Sequence, residues 1–93
     1  MSPLQLAEAL VWHGIHVNGT VEATDQRDGN VTIADLVYVQ VPTFDGAPRV
    51  VVDGYDTDVR CYPPRSDVAD LASDIRDAVN KLTPAAIASC SIH

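Results

Sequence analysis

Residues 67–82 read DVADLASDIRDAVNKL, the longest periodic stretch in the chain, with no Gly or Pro inside it. Val68, Leu71, Ile75, Val79 and Leu82 recur at intervals of three and four, the spacing of one helix face. Asp67, Asp70, Asp74 and Asp77 run beside that seam at the same spacing, so one helix carries both a core face and an acidic edge. Ser66 or Asp67 is placed to cap it, and Asp70 adds favourable charge to its first turn. Asp77 and Lys81 form an acid-then-base pair four residues apart. Burying the five seam residues contributes on the order of 1.5–3 kcal/mol each. A chain of this length cannot leave such a seam in water, so the preceding residues must supply a layer to cover it.

They read as one more helix and a set of strands. Ser2-Pro3-Leu4-Gln5 is a helix start: Ser2 caps, Pro3 suits the first helical position, and Gln5 completes a capping box. Leu4, Ala7, Leu10 and Val11, with Leu6 widening the stripe, continue at helical spacing until Gly14 offers a left-handed stop. A helix over 3–13 is expected. Residues 15–23 alternate, with Ile15, Val17, Val21 and Ala23 on one face and Gly19 marking a bulge or a close approach. The polar run 24–30 is a turn, with Asp28-Gly29 as its pivot. Residues 31–41 are the most strand-prone, with Val31, Ile33, Val37, Val39 and Val41 on one face. Asp35 interrupts them, either inside a strand covered on both sides or at a face-swapping bulge.

Two prolines and a glycine make 42–48 a loop. Residues 49–52 are a short strand, 53–56 a turn and 57–62 a fourth strand, which Pro63-Pro64 stops. Thr83-Pro84 ends the long helix and opens a short one over 84–89; the tail 89–93 is a frayed end or an edge strand. The expectation is a single small α+β domain over 1–93: an N-terminal helix, an antiparallel meander of three to four strands, an amphipathic second helix packed on one sheet face, and a short C-terminal helix.

Charge narrows the function classes. Thirteen acids against six bases give a formal net charge of −7, and eleven of the acids are Asp. That balance repels phosphate backbones and anionic membranes, and favours solubility and steering toward a basic protein partner. Met1–Val11 carries no basic leader, and no apolar run reaches the ~18–20 residues that span a bilayer. A cytoplasmic location is expected. Cys61 and Cys90 are too few for a disulfide scaffold, and whether they pair is left open.

Catalytic and metal chemistry find little support. His13 and His16 are spaced to offer two ligands, with Cys90 or His93 to add others, but a helix C-terminus and a polar strand face account for them. Residues 53–58, DGYDTD, concentrate three carboxylates without the order or the distal Glu of an EF-hand loop; Asp and Gly there serve turn geometry. No Gly-rich phosphate loop and no nucleophile motif is present. No enzyme activity, cofactor or metal is expected.

The acidic edge is the one lead toward function. The order helix, strands, helix is similar to that of the double-stranded RNA-binding domain, a family that grips phosphates with basic residues at the start of its second helix. Here the matching stretch 64–70 reads PRSDVAD, one Arg against two acids, which excludes that use. Carboxylates at Asp67, Asp70, Asp74 and Asp77 lie ~5–6 Å apart on a helix, close to the ~6–7 Å between phosphates on one strand. Asp on a polar helix face also serves solvation alone. In size, acidity and lack of enzymatic signatures the chain resembles, as a class, phage- or plasmid-encoded inhibitors such as anti-CRISPR proteins and DNA mimics. That resemblance implies a non-enzymatic module, and the acidic edge supplies its candidate partner-binding residues, Asp67, Asp70, Asp74 and Asp77, joined by Asp53, Asp56 and Asp58. Its target would be a basic, nucleic-acid-binding surface of a protein. The alternatives are a structural or adaptor protein, such as a phage assembly component, acting as a homo-oligomer, and a small enzyme or metal-binding protein.

Overall fold

The computed structural model describes residues 1–34, 36–43, 46–52 and 62–80. The expected fourth strand over 57–62 except for Tyr62, which is not in a strand, the short helix over 84–89, the acids Asp53, Asp56 and Asp58, and both cysteines lie outside the described residues. Those described form an α+β arrangement: α1 (Pro3–Trp12), β1 (Gly19–Val21), β2 (Gly29–Thr32), β3 (Val37–Val41), β4 (Arg49–Val52) and α2 (Val68–Asn80). The strands make an antiparallel sheet in the order β1-β2-β3-β4. Helix α1 packs on β1 and β2, α2 on β3 and β4, and the helices touch each other, so both cover the same sheet face.

The start of α1 is as its sequence dictates. The Gln5 N–H donates to Ser2 Oγ at 3.1 Å and the Ser2 N–H donates to Gln5 Oε1 at 2.9 Å, closing the capping box. The helix ends at Trp12 with His13 as its cap, and Gly14 follows at φ +79°, where a side chain would be strained. Its buried residues are Pro3, Leu6, Ala7 and Leu10; Leu4 and Val11, expected in the core stripe, are exposed.

Three strand expectations are corrected. The alternation over 15–23 yields only the three-residue β1, and its apolar face is broken. The Asn18 N–H donates to the Thr32 carbonyl at 2.8 Å while Gly19 is the register partner of Thr32, so two residues oppose one. This bulge inverts the parity. Ile15 is buried and Val17 packs on the core, but Val21 pairs with Asn30 on the face away from the helices.

The reversal after β1 is not at Asp28-Gly29. Thr24 and Arg27 bond each other's backbone, with Asp25-Gln26 at the tip. Gly29 instead opens β2 and is needed for room: a Cβ there would lie 2.5 Å from Pro3 Cγ and 2.7 Å from the Val21 carbonyl oxygen.

Residues 31–41 are not one strand but the two arms of a hairpin, β2 and β3. The Val37 carbonyl accepts from the Ile33 and Ala34 N–H groups, both at 3.0 Å. Because Val31 pairs with Val39, odd residues face odd residues, and the inward alternation runs through the reversal unbroken. The continuous pattern therefore concealed a turn.

The inward face of the sheet is a valine layer. Val31, Val39 and Val50 stand side by side across β2, β3 and β4, with Val37 and Val52 beside them, all buried. Against it lie Leu6 and Leu10 from α1, and Leu71, Ala72, Ile75 and Ala78 from α2. The seam of α2 is thus rotated from its expected course. Val79 is 42% exposed, while Ala72 and Ala78 are buried, as is Asp74 at 8%. Small alanines let this face of the helix sit closer to the sheet than the bulkier Val79 edge would. Among the described residues, no helix is long and apolar enough to cross a membrane.

Candidate functional site

The four acids of α2 divide into two pairs. Asp67 caps the helix, its Oδ1 accepting from the Ala69 N–H at 2.9 Å, and its position in water is shared by Asp70 one turn on. Asp74 is buried and Asp77 half-buried, and both bond side chains of the protein itself. Pro63 and Pro64 bring the chain extended toward α2, and Arg65 is pinned there by its N–H donating to the Pro48 carbonyl at 2.8 Å. From that anchor its guanidinium meets Asp74 with two bonds, Nε to Oδ2 at 2.8 Å and Nη2 to Oδ1 at 3.2 Å. The fork geometry suits a planar guanidinium and a carboxylate. The hydrogen bond to Asp74 is the leading reason that Arg65 is raised above its ordinary pKa.

Tyr62 closes the next turn of the same flank, its hydroxyl donating to Asp77 Oδ2 at 2.7 Å. Partial burial, then the Asp77 contact, push the Tyr62 phenol well above its usual range, so it remains a donor. The row expected from the sequence is therefore two open carboxylates followed by two that hold Arg65 and Tyr62. Asp53, Asp56 and Asp58 lie outside the described residues.

The remaining charges follow a similar division. Arg76 donates from Nη2 to the His13 carbonyl at the end of α1, placing a cation at a helix C-terminus. On the sheet face away from the helices, Arg49 donates from Nε and Nη2 to Gln40 Oε1 at 3.0 and 2.9 Å. Gln40 Nε2 donates in turn to Asp28 Oδ2 at 2.9 Å, and the Thr43 N–H donates to Asp28 Oδ1 at 2.9 Å. The Thr43 backbone bond first, then the Thr43 hydroxyl, hold the Asp28 carboxyl below its usual pKa. By contrast Glu8, Glu22, Asp25, Asp67 and Asp70 are all exposed.

No family model matches the chain, and neither a curated protein nor a solved structure matches it.

A second surface, absent from the sequence-based expectation, lies on the other side of the molecule. Leu4, Glu8, Val11 and Trp12 stand at i, i+4, i+7 and i+8 along α1, a face separate from the buried one. Trp12 is 90% exposed, Val11 58% and Leu4 54%. With Ala7 and Val17 they line a shallow groove of about 480 Å³ that runs along the exposed strand β1. The signal was present in the sequence. Leu6, Ala7 and Leu10 already fill a helix face, so Leu4, Val11 and Trp12 fall outside any single stripe. His13 and His16, the candidate metal ligands, are both exposed, and among the described residues no group of three or more His, Cys, Asp or Glu converges.

Proposed function

We propose that this protein is a non-enzymatic, acidic binding module that seats against a basic, nucleic-acid-binding surface of a partner protein. It would act in the cytoplasm of a host cell, in the manner of an inhibitor of the anti-CRISPR or DNA-mimic class. The observation that supports this reading is the one-sided use of charge. Among the described residues five acids are exposed against two bases, Arg27 and Arg76, and the guanidinium groups of Arg49, Arg65 and Arg76 each bond an acceptor of the protein itself. The described surface therefore carries more carboxylate than guanidinium, in keeping with the net charge of −7. Asp67 and Asp70 at the start of α2 are the contact residues proposed here, with Asp74 and Asp77 supporting the flank behind them.

Competition tests the proposal. Nucleic-acid-binding proteins of the source cell are retained on DNA-cellulose, and the protein is added as a competitor. Specific proteins should be released at low salt, and release should fade between about 50 and 200 mM salt. The paired substitution Asp67→Asn and Asp70→Asn removes two charges yet keeps a side chain that caps a helix equally well. Release undiminished by that pair, or no release even at low salt, refutes the proposal.

A further inference from the structure

The groove beside α1 has a shape and chemistry that the acids of α2 do not explain. One wall is the second apolar face of α1, and the other is β1, the outermost strand of the sheet as described. All three β1 residues are exposed, and among the described residues no strand pairs with its outer flank. A chain laid along that flank would extend the sheet, and its alternate side chains would fall on the helix side. There they would meet Leu4, Val11, Trp12 and Val17 at the two-residue period of a strand.

Charge says what that chain must carry. Among the described residues Glu8 is the ionisable one lining the groove and no Lys or Arg lines it, and Glu22 follows the end of β1. The open indole of Trp12 offers its face to a cation. A second copy of this protein would bring another net charge of −7 and set its own Glu8 and Glu22 against this surface. We infer that the α1–β1 groove docks an extended segment of another protein in which apolar residues alternate with Lys or Arg. This rests on the binding-module reading but uses a different surface from Asp67 and Asp70, so the two ideas fail separately.

The single Trp of the chain is a built-in reporter, since its emission shifts to the blue when the ring leaves water. The probe is a blocked hexapeptide, Lys-Val-Lys-Val-Lys-Val. Its controls are the same peptide with Glu for Lys and one with Pro for the central Val, which cannot donate to a strand edge. The Lys peptide should shift Trp12 emission and perturb amides of α1 and β1; both controls should bind at least about tenfold more weakly. Val11→Asn, at an exposed position, should melt like the parent and lose about tenfold in peptide affinity, while Asp70→Asn should leave the peptide affinity unchanged.

Equal binding of the Glu peptide overturns the charge assignment, and equal binding of the Pro peptide overturns strand addition. No emission change with any peptide overturns the site. A dimer by sedimentation that Val11→Asn abolishes makes a second copy the occupant, and overturns the inference as well. Failure of the DNA-cellulose competition beside a positive peptide result removes the α2 reading and leaves the groove.

Discussion

The two helices treat their odd residues in opposite ways. Helix α2 draws charge inward: Asp74 is 8% exposed on a helix whose polar edge should have kept it in water. Helix α1 turns apolar surface outward, leaving Trp12 90% exposed on a helix rich in apolar residues. The difference lies in what stands over each position. Above Asp74 the chain supplies Arg65, fixed to Pro48 and able to bond both carboxylate oxygens, so burial leaves no charge unpaired. Over Leu4 and Val11 the described residues supply only β1, three residues long and bulged, which is too short to cover a second helix face. Helical periodicity says which residues share a face. It does not say whether that face will find a cover.

The same substitution made in both helices gives the largest contrast. Leu71→Asp puts a carboxylate where the side chain is 1% exposed, within the apolar core. It should cost upward of about 4 kcal/mol, enough to unfold most of a domain this small. Val11→Asp should lie within about 0.5 kcal/mol of the parent. Val79→Asp discriminates further: the heptad-like seam in the sequence ranks it with Leu71, while its 42% exposure ranks it nearer Val11. Urea melts of the three variants measure this. A Val79→Asp loss as large as that of Leu71→Asp would restore the unrotated seam and break the comparison.

Within α2 the acids themselves should separate next. Asp74→Ala removes the partner of Arg65, but the guanidinium side chain is 36% exposed and can turn to water, which limits the damage. A loss of about 1–3 kcal/mol is expected. Asp70→Asn gives up a favourable charge in the first turn, and a change of a few tenths of a kcal/mol is expected. Combining Asp74→Ala with Arg65→Ala should cost less than the sum of the single changes. Strict additivity in that double-mutant cycle would mean the pair contributes nothing, and that the charge of Asp74 is as free as that of Asp70.

The fold was legible where local rules and packing agree. The capping box at Ser2 and Gln5, the stop at Gly14 and the strand 49–52 needed only neighbouring residues. What escaped was set by contacts distant in sequence. The hairpin between Ala34 and Val37 hid because its register pairs odd with odd, so no break in hydrophobic alternation announced it. Gly29 looked like a turn residue because the close approach of Pro3 that requires it comes from 26 residues earlier. In the acidic row, spacing placed four Asp on one edge, but the partners that take up Asp74 and Asp77, Arg65 and Tyr62, lie before the helix and nine and fifteen residues away. The Trp12 groove was readable in principle, as a second apolar strip on α1, and was absorbed into a single broad stripe.

The two aromatic side chains supply the finest test of the contrast. Trp12 has no burial to lose, and Trp12→Phe should leave stability unchanged. Tyr62→Phe should cost about 1 kcal/mol at pH 7, the worth of one hydrogen bond to Asp77. The tyrosine should also leave a mark in alkali. Its phenol is raised in the fold, while in the unfolded chain it ionises near pH 10. Above that pH the unfolded chain loses a proton that the folded chain keeps, so this group's contribution is complete below about pH 10 and declines as pH rises further. Melts at neutral and alkaline pH should therefore converge for Tyr62→Phe and its parent as the pH climbs. Coincident curves, with no offset at any pH, would leave the 2.7 Å bond in place as geometry but remove it as the restraint on α2. The inward-turned flank would then be tied by Arg65 and Asp74 alone.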